Sequence, residues 1–96
     1  MDADTKKRVA TRVKRIVGQV AGVQRMLDEG RYCVDVLHQI AAVRSALDAV
    51  GVELIASHLE SCVAGHGTGT EHECAKPMSQ DQLLAEVRAV LSQFLK

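Results

Sequence analysis

Cys33, His58 and Cys62 offer the clearest chemistry in this 96-residue chain. His58 and Cys62 are four apart, a spacing that places both side chains on one helix face, a turn apart. Cys33 lies 25 residues before His58, at the other end of what reads as one long helix. Two thiols and an imidazole form a soft, three-donor set suited to Cu(I) or zinc. An unbroken helix over 33–62 would hold its two cysteines about 43 Å apart, at a rise of ~1.5 Å per residue. One subunit with such a helix cannot close the site, whereas two antiparallel copies can. The spacing therefore predicts a homodimer with two equivalent sites between subunits.

Other candidate ligands lie downstream. His66, His72 and Cys74 fall in the glycine-rich stretch AGHGTGTEHECAKPM, with Glu71 and Glu73 among them. They read either as incidental residues of a disordered loop or as an auxiliary metal site, with Cys74 a thiol able to bridge to Cys62. His38 reads as a surface residue. No base–nucleophile pair and no glycine-rich phosphate loop stands out, so no enzyme is expected.

Composition narrows the class. One small domain is expected over residues 1–96. Tyr32 and Phe94 are its only aromatic residues, so any core is aliphatic. Pro77 is the single proline, and Val, Leu, Ala and Ile dominate, a profile of an all-α protein. No apolar run approaches a membrane span, and the N-terminus lacks a signal-peptide pattern. A cytoplasmic protein with reduced thiols is expected, since three cysteines also argue against a disulfide framework. The net charge of zero conceals an asymmetry. Residues 1–31 hold eight Lys/Arg against four Asp/Glu, and residues 32–96 the reverse.

Three helices must position these groups, over about 5–28, 32–63 and 79–95, with a flexible linker over 64–78. In the first, Val9, Val13, Ile16, Val20, Val23 and Leu27 form an apolar seam at spacings of four and three. Arg8, Arg12, Arg15 and Gln19 flank it as a polar ridge. Asp4 or Thr5 is the expected N-cap, and Gly30 the C-terminal stop. In the second, Cys33, Leu37, Ile40, Arg44, Leu47, Gly51, Leu54 and His58 share one stripe, while Val36, Val43 and Val50 share another. Two apolar faces suit a helix packed on its own subunit and on a partner. Gly65, Gly67, Gly69 and Pro77 interrupt the helical pattern, and Ser79 with Gln82 resembles a capping box opening the third helix.

The stretches Tyr32–Leu47 and Ser57–Cys62 resemble the copper-sensing operon repressors of the CsoR family. Residues Arg12–Leu27 are similar to that family's first helix. The resemblance covers residues 5–63 strongly and the last helix loosely. It implies a three-helix subunit that pairs as an antiparallel dimer and assembles further as a dimer of dimers, a homotetramer. It also implies a metal-free form that binds operator DNA without a helix-turn-helix. In that reading Cu(I) is held in trigonal geometry by Cys33 from one subunit and His58 and Cys62 from the other, and its binding releases the DNA. Tyr32 and Glu86 are implied behind the ligands, with Gln82 an alternative to Glu86.

The resemblance also raises a DNA role for Arg8, Arg12, Lys14, Arg15 and Gln19, which alone would read as a solvated face. Lys6, Lys7 and Arg25 would add general phosphate contacts. Arg44 contacts DNA or pairs with Asp48. Some copper sensors carry a further basic residue where this chain has Ala49.

The ligand positions select the subclass. Nickel/cobalt sensors of the wider family use histidine near the N-terminus and at the position of Cys62. Formaldehyde sensors have proline where this chain has Asp2, and persulfide sensors lack the equivalent of His58. The expected function is a Cu(I)-responsive transcriptional repressor of copper efflux or resistance genes. The alternatives are a thiol- or persulfide-responsive repressor joining Cys33 to Cys62 across subunits, and a helical copper-binding protein without DNA binding. Thiol ligands release protons on binding metal, so affinity should rise with pH. Copper and DNA should weaken each other's binding by the same factor.

Overall fold

The computed structural model describes residues 1–96 and contains three α-helices, α1 (Ala3–Asp28), α2 (Cys33–His58) and α3 (Gln80–Phe94). The cap of helix α1 lies two residues before Asp4 and three before Thr5, the expected positions. Asp2 takes that role, its side chain accepting from the Thr5 N–H at 2.7 Å. That bond to the backbone N–H lowers the Asp2 carboxyl below its ordinary range. At the other end Gly30, at φ 66°, donates its N–H to Leu27 O, and Arg31 donates to Met26 O. This pair of bonds is a Schellman closure, and the positive φ explains glycine there.

The short connection turns α2 back along α1, so residues equidistant from the turn face one another. Val9, Ile16 and Val50 are the buried centre of this hairpin, with Val43 and Ala46 packed against them. A single stripe of each helix thus forms the intrasubunit seam. The other apolar stripe of α2 stays in solvent, with Leu37 61% and Leu47 51% exposed, and Ile40 and Leu54 also exposed. On α1, Val13, Val20 and Leu27 are exposed likewise.

Helical geometry continues past His58, but its register changes. Leu59–Ala64 form a π-helical turn with i→i+5 bonding. His58 closes the α-helix and Cys62 sits inside the wider turn. The change of register replaces the uniform 32–63 helix expected from the pattern.

Residues 65–78 fold back over this turn, whereas a flexible linker was expected. Glu71 accepts from the Gly67 and Gly69 N–H groups at 3.1 and 3.3 Å, and Thr70 Oγ1 donates to Ser61 O at 3.1 Å. The glycines therefore serve a carboxylate-centred loop, with Gly67 and Gly69 both at positive φ. Ala75 at the loop's end packs with Cys62 and Leu83 in a second small core, flanked by Val63 and Met78. Ser79 and Gln82 form both halves of the capping box that opens α3. Gln80 Nε2 ties α3 back to Val63 O at 3.1 Å.

The subunit is flat and long, with extents of 54 × 29 × 15 Å and a radius of gyration of 17.3 Å. A compact chain of this length would have a radius near ~12 Å. Only 8 of 96 residues are buried, too few for a self-sufficient core, so the exposed apolar stripes need a covering surface. No helix is long and apolar enough to cross a membrane.

Candidate functional site

His58 and Cys62 are brought together at one end of the molecule, and Cys33 is left at the other. Cys33 is the first residue of α2 and is exposed, as is its neighbour Tyr32. The helix between Cys33 and His58 is about 38 Å long at a rise of 1.5 Å per residue. No group of three or more His, Cys, Asp and Glu side chains within the subunit is placed to hold a metal ion.

At the His58 end, Cys62 is 3% exposed. Its sulfur accepts the backbone N–H of His72 at 3.3 Å, so the folded-back loop both covers and orients it. His58 and Cys62 line one cavity of about 360 Å³. On its far wall Glu86 of α3 places Oε1 3.8 Å from His58 Nε2. Gln82, the alternative partner, is committed elsewhere, because its side chain accepts the Ser79 N–H at 2.8 Å. A neutral imidazole with Nε2–H turned toward Glu86 leaves Nδ1 as its free lone pair.

The downstream candidates divide. Cys74 is exposed and lines the same cavity as Cys62. His72 also borders that cavity, but its Nδ1 accepts the Cys74 N–H at 3.0 Å. A neutral ring in that state carries its proton on Nε2 and has no lone pair left for a metal. His66 Nε2 is buried without a hydrogen-bond partner. Sequence reasoning did not single out Met78, which lines the Cys62 cavity. Its nearness to Cys74 in sequence was the available signal.

The basic residues form a second feature. Arg8, Arg12 and Arg15 line a shallow depression with Lys7 and Thr11. Arg15 also borders a second one with Gln19, Arg25 and Arg31, which extends the basic strip toward the hairpin turn. The amide oxygen of Gln19 is buried without a partner. Lys14 borders a neighbouring depression with Lys6, and Lys7 lines both that one and the strip. Arg44 is exposed and forms no ion pair with Asp48.

Glu53 of α2 was also missed. Arg8 Nε donates to Glu53 Oε1, and Arg12 Nη1 lies 3.2 Å from Oε2. The bond to Glu53 raises the Arg8 pKa further and fixes its charge. The hairpin itself was the signal, since Glu53 lies as far after the turn as Arg8 lies before it.

The sequence profile of the metal-sensitive transcriptional repressors matches residues 5–93. The chain belongs to that family. Its members are regulators of transcription and not enzymes. The copper-sensing transcriptional repressor CsoR of Bacillus subtilis (strain 168) is 37% identical over 91 residues, which are 95% of this chain and 82% of that protein. The copper-sensing transcriptional repressor RicR of Mycobacterium tuberculosis (strain ATCC 25618 / H37Rv) is 44% identical over 75 residues, 74% of this chain and 78% of that one. The fold is similar to the crystal structure of the copper-sensing repressor CsoR with Cu(I) from Geobacillus thermodenitrificans NG80-2. The two agree with a TM-score of 0.81 at 38% identity, covering 100% of this chain and 92% of that chain. The all-α, three-helix architecture is thus shared with a metal-sensitive repressor of the same family.

Proposed function

We propose that this protein is a Cu(I)-responsive transcriptional repressor whose metal site lies between subunits. The observation that carries the reading is the placement of the donors at the two ends of α2, with Cys62 in the turn that continues it. Cys33 stands exposed at one end of an unburied apolar stripe, and His58 with Cys62 stands at the other. A second copy laid antiparallel along that stripe covers Leu37, Ile40, Leu47 and Leu54. The same packing brings Cys33 of each copy beside His58 and Cys62 of the other. These side chains are about half exposed, so covering them contributes roughly 1 kcal/mol each, about half the value for full burial. The dimer and the metal site therefore arise from one surface, and two dimers pair into the tetramer.

The donor set fits Cu(I). Two sulfurs are soft ligands, and His58 offers Nδ1 once its other nitrogen faces Glu86. Bound Cu(I) supplies a positive charge and directional bonds that hold Cys33 to the end of the other subunit's long helix. His58 then transmits its orientation to Glu86, and so to α3. Arg8, Arg12, Arg15 and Gln19 form the DNA-facing strip, with Lys14 and Arg44 as flanking contacts. The metal-free protein holds operator DNA in the cytoplasm, and copper releases it to derepress efflux or resistance genes.

The test is a DNA-release assay. Metal-free protein is bound to a fluorescent duplex selected by it from genomic fragments, and Cu(I) is added without oxygen. Wild type should release the duplex. Cys33→Ala should bind the duplex as tightly and keep it when copper is added. A Cys33→Ala protein that releases DNA as wild type does would contradict the reading.

A further inference from the structure

Cys74 has no part in the three-donor site, yet the fold brings it to the same end of the molecule. It lines one cavity of about 360 Å³ with Cys62, His58 and Met78. The His72 N–H bond to Cys62 Sγ fixes this loop to the turn that carries Cys62. The Cys74 N–H bond to His72 Nδ1 sets the chain direction two residues on. Cys62 is 3% exposed whereas Cys74 is exposed, so of the two thiols Cys74 is the one open to solvent.

We propose that Cys74 and Cys62 form a two-thiolate Cu(I) capture site within a single subunit, with the Met78 thioether beside them. The proposal rests on the copper reading above and concerns how the ion reaches its site. Thiolate and thioether donors select Cu(I). Zinc favours four nitrogen, sulfur or oxygen ligands, and although His58 and Glu86 also border the cavity, no group of three or more His, Cys, Asp and Glu side chains is placed together to hold it. His72 is a positioning residue, since its Nδ1 is already occupied by the Cys74 N–H.

The exchange balances without any redox change. Cu(I) arrives bound to a low-molecular-weight thiol of the reducing cytoplasm. As the Cys74 and Cys62 thiols lose their protons and bind copper, the donor's sulfur–copper bonds break and its thiolates take up protons. Cys33 of the second subunit then loses its proton and displaces Cys74, which is reprotonated. The ion remains Cu(I) throughout. The capture site therefore loads one subunit before the intersubunit set closes.

The test compares wild type, Cys33→Ala, Cys74→Ser and Cys33→Ala/Cys74→Ser, each fully reduced and checked for helix content by circular dichroism. Copper is supplied as the Cu(I)–bathocuproine disulfonate complex. Transfer is followed by the loss of that complex's colour, and bound copper by X-ray absorption. Cys33→Ala should still take up copper through two sulfurs. The double variant should lose one sulfur and bind roughly tenfold or more weakly, a difference of at least ~1.4 kcal/mol. Cys74→Ser should load several-fold more slowly than wild type. Equal sulfur number and affinity in Cys33→Ala and the double variant would overturn the proposal, as would wild-type loading speed in Cys74→Ser. Wild type bound through two sulfurs and one nitrogen would leave the copper reading standing in that case. Wild type that takes up no copper would remove both.

Discussion

Glu86 of α3 reaches to 3.8 Å from His58 Nε2 at the end of α2, making this imidazole a link between the long central helix and the last helix. The gap is too long for a hydrogen bond and short enough to close with a small movement of either side chain. Because both are part-exposed, the contact contributes little to the stability of the metal-free fold. In the proposed copper site its use is directional, since an Nε2 turned toward Glu86 leaves Nδ1 for the metal.

Replacing Glu86 by Gln removes the charge and keeps the shape. Glu86→Gln should bind Cu(I) and DNA separately much as wild type does. The coupling between them should fall by about 1 kcal/mol, roughly fivefold. DNA titrations with and without copper measure this. A variant with full coupling would remove Glu86 from the relay.

Glu53 places one negative charge between Arg8 and Arg12 on the basic strip. Glu53→Ala should raise DNA affinity roughly several-fold at low salt, with the gain fading as salt screens the strip. Fluorescence anisotropy across a salt series reads both. If affinity falls at every salt concentration, Glu53 instead holds the two arginines in their binding pose.

Gly51 is buried where the Phe94 ring of α3 lies over α2, and a methyl group at 51 would overlap that ring. Gly51→Ala gains helix propensity of ~1 kcal/mol but must turn aside the far end of the half-exposed Phe94 ring, a smaller cost than overpacking a closed core. A net change of less than about 1 kcal/mol is expected, and adding Phe94→Ala, which leaves room for the methyl, removes the clash. Urea unfolding of the three proteins checks the size of the change.

Glu71 anchors the loop that covers Cys62. Its carboxyl is held below the ordinary 4.5, first by its own backbone N–H and then by those of Gly69 and Gly67. A carboxylate whose pKa is depressed by folding stabilises the loop above the ordinary value and loses that contribution as pH falls through the lowered one. The loop should therefore keep its structure at neutral pH and loosen in acid, below pH 4.5. Glu71→Gln should loosen it already at pH 7. Amide exchange at Gly67 and Gly69, compared between wild type and Glu71→Gln at one pH, tests the anchor. Equal protection in the two proteins would show that the carboxylate does not hold the loop.

The helices were legible because their signals are local. Val9, Ile16, Val43 and Val50 repeat at helical spacing, Gly30 supplies a positive φ, and Ser79 with Gln82 caps α3. The second stripe of α2 was equally legible as a face with no intrasubunit partner, and Leu37 and Leu47 are exposed accordingly. The register change at Leu59 was hidden, because no residue type there demands i→i+5 bonding. The Glu53 clamp was hidden because it depends on pairing across 45 residues. Glycines at 65, 67 and 69 read as a linker, since the bonds of Gly67 and Gly69 to Glu71 and the burial of Ala75 depend on the fold. The proposed metal donors are legible by residue type, whereas the subunit alone keeps Cys33 apart from His58 and Cys62.

The most direct measurement is an anaerobic Cu(I) titration of the reduced protein, followed by X-ray absorption at the copper edge. The intersubunit site predicts saturation at about one copper per subunit, bound through two sulfurs and one nitrogen. Binding through sulfur alone, or no saturable binding, would contradict it.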